Sequence, residues 1–120
     1  MKGDRVRSLY FTDEFRDFYD SLSLKVRNKF DYVLTMIASE KIVSTKFVKH
    51  LVSYDLYEMR VSVGNNEYRT ILFAVDNDNF ILSTKVILLN GFMKKSNKDY
   101  VKQIEIAQNI LRRINDDTYR

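Results

Sequence analysis

The sequence predicts an α+β domain: a small, mainly antiparallel sheet backed by an N-terminal helical hairpin, in the order β-α-α-β-β-β-α. Three observations predict it. Between residues 56 and 95 lie three runs rich in Val, Ile, Leu, Phe and Tyr, over Leu56–Val63, 67–75 and 80–92, separated by loop-forming residues. Before them come two stretches with apolar residues at helical spacing, with only a short gap between them. After them comes a third.

In chain order, residues 5–11 (RVRSLYF) read as a first strand, with Val6, Ser8 and Tyr10 on one face and Arg7, Leu9 and Phe11 on the other. Thr12 suits a helix N-cap, and Asp13 and Glu14 follow in the first turn, where negative charge opposes the helix dipole. Phe15, Phe18, Tyr19 and Leu22 form its apolar stripe, and the helix is expected to stop near Ser21. Ser23 caps a second helix with the stripe Val26, Phe30, Val33, Leu34 and Ile37; Lys25, Arg27 and Lys29 fall off that stripe, towards water. So short a connection favours an antiparallel hairpin, able to bury both stripes against a sheet.

Residues 40–55 fit no period. A structured connection with one short helical turn is expected there, and its Lys41, Lys46, Lys49 and His50 suit either a phosphate-holding loop or an ordinary polar one. Leu56–Val63 then alternates, with Tyr57, Met59, Val61 and Val63 on one face and Glu58, Arg60 and Ser62 on the other, as in a strand buried on one side. The other face is expected to be open and to carry the chemistry. Gly64-Asn65-Asn66 is a turn. With Asn65-Asn66 as a two-residue loop, Arg60 and Arg69 become diagonal neighbours on one face, roughly 7–8 Å apart at the backbone. A three-residue loop turns them to opposite faces. The two-residue loop is the expectation.

Residues 76–79 (DNDN) make another turn. Ser83-Thr84-Lys85 interrupts the next apolar run, as a bulge or a short excursion, before a strand in which Asn90, Phe92 and Lys94 share a face. Ser96 or Asn97 caps the last helix, whose stripe is Val101, Ile104, Ala107, Leu111 and Ile114, and residues 115–120 form a polar tail expected to fray.

Length and composition narrow the chemistry. At 120 residues with 45% hydrophobic content, one folded domain over residues 1–120 is expected. The N-terminus lacks the apolar core of a signal peptide and no run approaches membrane-spanning length, so no membrane partner is expected. There is no cysteine, which excludes disulfides, thiolate metal sites and a cysteine nucleophile. The single histidine, His50, excludes a two-histidine acid–base pair within one chain, and no carboxylate–histidine cluster suggests a metal or any other cofactor. No phosphate-binding glycine loop or nucleophile elbow is present. A net charge of +4 permits an anionic partner without identifying one.

What remains is Lys, Arg and Tyr chemistry. Cations grouped on one sheet face can brace the charge that grows on a phosphate and so support RNA cleavage by the 2′-hydroxyl without a metal. Each residue also has a plainer reading. Arg60 can pair with Glu58, Phe92 can be core, His50 a loop residue, and Lys94-Lys95 a solvated strand end.

Four ordered segments carry a family likeness: LYEMRV (56–61), EYRTILF (67–73), ILLNGFMKKS (87–96) and the helix with IEIAQ (104–108). Together with the N-terminal strand and helical hairpin they make nearly the whole chain resemble the RelE/HigB-type toxins of bacterial type II toxin–antitoxin systems, in particular the phage-related HigB-like branch of the RelE/ParE superfamily. The resemblance implies a RelE-like fold and a cytoplasmic, metal-independent endoribonuclease, an mRNA interferase that cleaves mRNA in the ribosomal A site. It implies a cognate helix-turn-helix antitoxin, with DNA contacted only through it, and the ribosome and mRNA as further partners. Carried over, it points to Arg60 and Arg69 as braces for the scissile phosphate and to Lys94 for proton transfer or charge stabilisation. Lys95, Phe92, Lys49 and Lys46 would hold RNA. The chain departs from the family pattern at Ser83-Thr84-Lys85, which looks like an insertion, and in having no histidine near its C-terminus, which leaves Tyr100 or Tyr119 as general-acid candidates. The alternative is a non-enzymatic binder: a gyrase inhibitor like the ParE branch, or a degenerate toxin that only binds an antitoxin.

Overall fold

The computed structural model describes residues 5–118. Its strands are β1 (Ser8–Phe11), β2 (Val48–Leu51), β3 (Leu56–Val63), β4 (Asn66–Ala74) and β5 (Lys85–Met93); its helices are α1 (Asp13–Asp20), α2 (Leu24–Ser39) and α3 (Asn97–Thr118). They form one five-stranded sheet in the order β1-β5-β4-β3-β2, with β1 parallel to β5 and every other pair antiparallel. The α+β class and the order of the expected elements are as the sequence reads. The connection over residues 40–55 holds one strand more: β2 pairs along β3, and a 3-10 turn over Val52–Tyr54 then delivers the chain to Asp55 at a left-handed φ of 59°. Four residues at a sheet edge are too few to impose a readable alternation.

The helical hairpin covers one face. Thr12 caps α1 by accepting from Phe15 N at 3.0 Å and ties it to β5 by donating to Leu89 O at 2.5 Å. Ser23 caps α2 through Val26 N. Phe15, Phe30, Val33 and Ile37 then bury against Met59, Val61, Leu72, Val86 and Leu88. Phe18 lies so close over Gly91 that a Cβ there would stand 2.3 Å from its ring, so only glycine lets α1 approach β5.

The opposite face is covered too, against the expectation of one open face. α3 packs Ile104, Ala107 and Ile110 onto Leu56, Ile71, Leu89 and Phe92. Ser96 caps it, accepting from Asp99 N. Val101 is exposed while Tyr100 packs inward, and the helix runs on to Thr118, past the start of the expected polar tail.

A buried arginine that the sequence reading passed over joins several segments. Arg7, 1% exposed, donates to the carbonyls of Phe80 (3.2 Å), Ile37 (2.9 Å), Glu40 (2.6 Å), Lys41 (2.5 Å) and Ile81 (3.2 Å). Its guanidinium carbon also sits 4.6 Å from the Phe80 ring centre. Two of those carbonyls belong to the end of α2, where the helix dipole favours a cation.

Ser83-Thr84 closes an excursion and is not a bulge, and Lys85 already begins β5. Phe80–Leu82 forms a 3-10 turn, and Asp76 then accepts from Thr84 N (2.9 Å), Thr84 Oγ1 (2.5 Å) and Lys85 N (3.1 Å). The irregularity in the ladder lies elsewhere, where Ile71 pairs with Asn90 but Leu72 with Leu88. The Thr84 bonds, side chain first and backbone second, hold the Asp76 carboxyl down to about 2. A carboxyl depressed in the fold adds stability above its unfolded value, roughly 4, and loses it as pH falls towards 2. The stability gap between wild type and Asp76→Asn, measured by urea unfolding, is therefore expected to shrink between pH 6 and pH 2. A gap that stays constant over that range would refute it.

Candidate functional site

The β3–β4 hairpin sets the site. Val63 pairs with Asn66, so the two-residue loop is Gly64-Asn65, one residue earlier than expected. Gly64, at φ 61°, supplies the left-handed residue such a loop needs. Arg60 and Arg69 do share a face, but as direct partners across the ladder and not as diagonal neighbours. Phe92 pairs with Arg69 on its other side, so the three form one lateral row. Lys94 N donates to Glu67 O at 2.7 Å, which carries the pairing one residue beyond β5 and leaves Lys94 in the next row of the same face.

Two arginines directly opposite each other repel unless an anion lies between them. Glu58, 3% exposed and on the same face of β3, supplies it. Its Oε2 lies 3.0 Å from Arg60 Nε and 3.7 Å from Arg69 Nε. Its Oε1 accepts the Tyr100 hydroxyl from the first turn of α3. Arg69 is 5% exposed, and its Nη1 also meets Glu67 Oε1 (3.2 Å) and Tyr68 O (3.1 Å). Arg60 keeps 31% of its side chain exposed. Burial, and then the Glu58 hydrogen bond, push the Tyr100 phenol well above its ordinary value, so it stays a donor. The Ser62 hydroxyl, and after it Arg69, hold Glu67 below the usual carboxylate range against the opposing cost of burial.

Of the residues singled out from sequence, Arg60, Arg69, Phe92 and Lys94 come together. Lys94 Nζ stands 5.9 Å from the centre of the Tyr100 ring. Phe92 is 6% exposed, and Tyr100 meets it edge-on at 5.9 Å between ring centres, so it supports Tyr100 and offers no open face to a base. Lys49 pairs across the ladder with Glu58 and is exposed on this same face. Lys46 and Lys95 are exposed at the borders, Lys46 with its ammonium 5.6 Å from the Phe47 ring. His50 stacks on Tyr57 at 4.5 Å, on the opposite face. Tyr119 lies outside the described residues. Sequence reading noticed Glu58 only as a partner for Arg60. The hint of more was its place two residues before Arg60, on the same strand face, but its bond to Tyr100 spans 42 residues and leaves no local trace.

Among the described residues, no helix is long and apolar enough to cross a membrane. No curated protein and no solved structure matches the chain. The model of the phage-derived Gp49-like protein family, a family associated with the RelE-like toxins of toxin–antitoxin systems, matches residues 17–112, which include every member of the Glu58 cluster, and the chain belongs to that family.

Proposed function

We propose that the chain is the toxin of a type II toxin–antitoxin system, of the HigB-like branch, and acts as a ribosome-dependent endoribonuclease. The observation that supports this reading is that Arg60, Arg69 and Lys94, carried by separate segments, lie in adjoining rows on one sheet face. In this reading the mRNA in the A site lays its scissile phosphate against Arg60 and Lys94. The 2′-oxygen attacks phosphorus and gives up its proton to solvent. The bond to the 5′-oxygen breaks, leaving a 2′,3′-cyclic phosphate, and the Lys94 ammonium stabilises the growing charge and supplies the proton that the 5′-oxygen needs. The chain's own cations carry that charge, so the step calls for no metal and no cofactor. Arg69 backs Arg60 from beneath. Lys95, Lys49 and Lys46 grip the flanking backbone. Phe92 seats Tyr100. The antitoxin, with a helix-turn-helix domain, provides the only link to DNA, and the setting is the cytoplasm.

Inducible expression in bacteria, with growth and mRNA 5′ ends followed together, tests it. Wild type is expected to arrest growth with cuts phased to codons. Arg60→Ala and Lys94→Ala are each expected to lower cleavage by about 100-fold while staying folded. Undiminished cleavage in both variants would sink the assignment.

The burial and ion pairing of Arg69 favour a second reading, a non-enzymatic binder. Growth arrest with intact mRNA would support its gyrase-inhibiting form. Soluble protein without arrest would support a degenerate toxin that only binds an antitoxin.

A further inference from the structure

We infer that Glu58 is a positioning residue that divides the labour between the two arginines, making Arg60 the guanidinium that touches phosphate and Arg69 its fixed support. The inference rests on the endoribonuclease reading and deepens it.

The argument starts from which edge of each guanidinium is occupied. Glu58 approaches both arginines at Nε, the edge nearest the side-chain stem. Arg69 then spends Nη1 on Glu67 and on the Tyr68 carbonyl, and it is buried. Among the described residues neither arginine makes a hydrogen bond at Nε, so Glu58 attracts both by charge, and Arg60 has no hydrogen bond like those that fix Arg69 at Nη1. A guanidinium offers five N–H donors in a rigid fork, and a carboxylate drawn to its Nε side leaves the outer pair of nitrogens on the side away from that charge. That outer pair suits two oxygens of a phosphate. Glu58 cannot swing away freely, because its second oxygen is held by Tyr100, whose ring is seated against Phe92. One buried carboxylate thus relieves the repulsion between facing arginines, draws the stem side of Arg60 inward so that its outer nitrogens stay free for phosphate, and joins the sheet to the first turn of α3.

The charge of Glu58 makes the inference separable from a merely structural role. An anion beside the phosphate weakens ground-state binding of RNA, while the orientation it imposes serves the transition state. Glu58→Gln keeps the shape and a carbonyl oxygen for Tyr100 but removes the charge. Three measurements on wild type and Glu58→Gln test it: cleavage of ribosome-bound mRNA, affinity for a short 2′-O-methylated RNA that cannot be cleaved, and titration of the Tyr100 phenol by NMR. In the variant, cleavage is expected to fall about 100-fold, RNA affinity to hold or rise, and Tyr100 to titrate at lower pH. Loss of cleavage and RNA affinity together would overturn the inference and leave Glu58 a structural residue. Undiminished cleavage with a shifted Tyr100 would overturn it as well. If wild type binds RNA but leaves ribosome-bound mRNA intact, the endoribonuclease reading itself fails and the catalytic assignment of Glu58 goes with it. If Glu58→Gln does not fold, Arg60→Lys serves. Lys keeps the charge without the fork, so cleavage should fall while RNA affinity is retained, and unchanged cleavage would overturn the inference.

Discussion

Arg7→Met is expected to lose on the order of 5 kcal/mol of folding stability, a large part of what a domain this size possesses. Methionine fills much of the same space but makes none of the five bonds to carbonyl oxygens. Those carbonyls come from the end of α2, the residues just after it and the 3-10 turn at Phe80–Leu82. No carboxylate takes part in this set of bonds; the charge is solvated by backbone dipoles, two of them at a helix C-terminus. Burial lowers the Arg7 pKa, yet an arginine remains charged at any ordinary pH. Arg7→Lys should recover little, because one ammonium cannot reach carbonyls that a planar fork spans. Urea unfolding of both variants measures the effect. A loss under about 1 kcal/mol in Arg7→Met, the net worth of a single ordinary hydrogen bond, would show that the clamp is redundant.

Arg69→Ala is expected to cost about 3 kcal/mol, and Arg60→Ala about 1 kcal/mol, although the two residues are direct partners on adjacent strands. Removing Arg69 opens a cavity and takes one cation from a carboxylate that is itself buried. Removing Arg60 takes away a partly exposed side chain, and Glu58 keeps Arg69 and Tyr100. Thermal or urea unfolding of the two variants reads the difference directly. Equal losses would mean that the guanidiniums are interchangeable in the fold, against the asymmetry of their contacts. The contrast also governs how toxicity is interpreted. A silent Arg69→Ala protein has lost part of its support and says little about which group meets the phosphate. A silent, well-folded Arg60→Ala protein bears on that question alone.

Local patterns were enough for the two hairpin helices, α1 and α2, whereas α3 packs Tyr100 and Ile110 inward in place of the expected Val101. Thr12 and Ser23 cap where their hydroxyls and the following stripes indicate, and Phe15, Phe30, Val33 and Ile37 are buried as their spacing requires. Strand alternation put Glu58 and Arg60 on one side of β3 and Met59 and Val61 on the other, and the turn chemistry at Gly64 and Asn65 kept Arg60 and Arg69 on a common face. These are short-range effects: a hydroxyl satisfying an orphan N–H, a period of 3.6 or 2, a glycine free to take positive φ.

Tertiary structure alone decided the rest. A one-residue difference in loop position turned diagonal arginines into opposed ones, which made an intervening anion necessary. Covering the second face with α3 buried Glu58, Arg69 and Phe92 and brought Tyr100 onto the carboxylate, contacts between residues remote in sequence. The four-residue β2 exists because β3 offers it an edge, and Arg7 is a clamp because three distant segments present carbonyls to it. Charge alone marks an arginine as a surface residue; whether it meets water, a carboxylate or a ring of carbonyls depends on what the chain folds against it, and no local period encodes that.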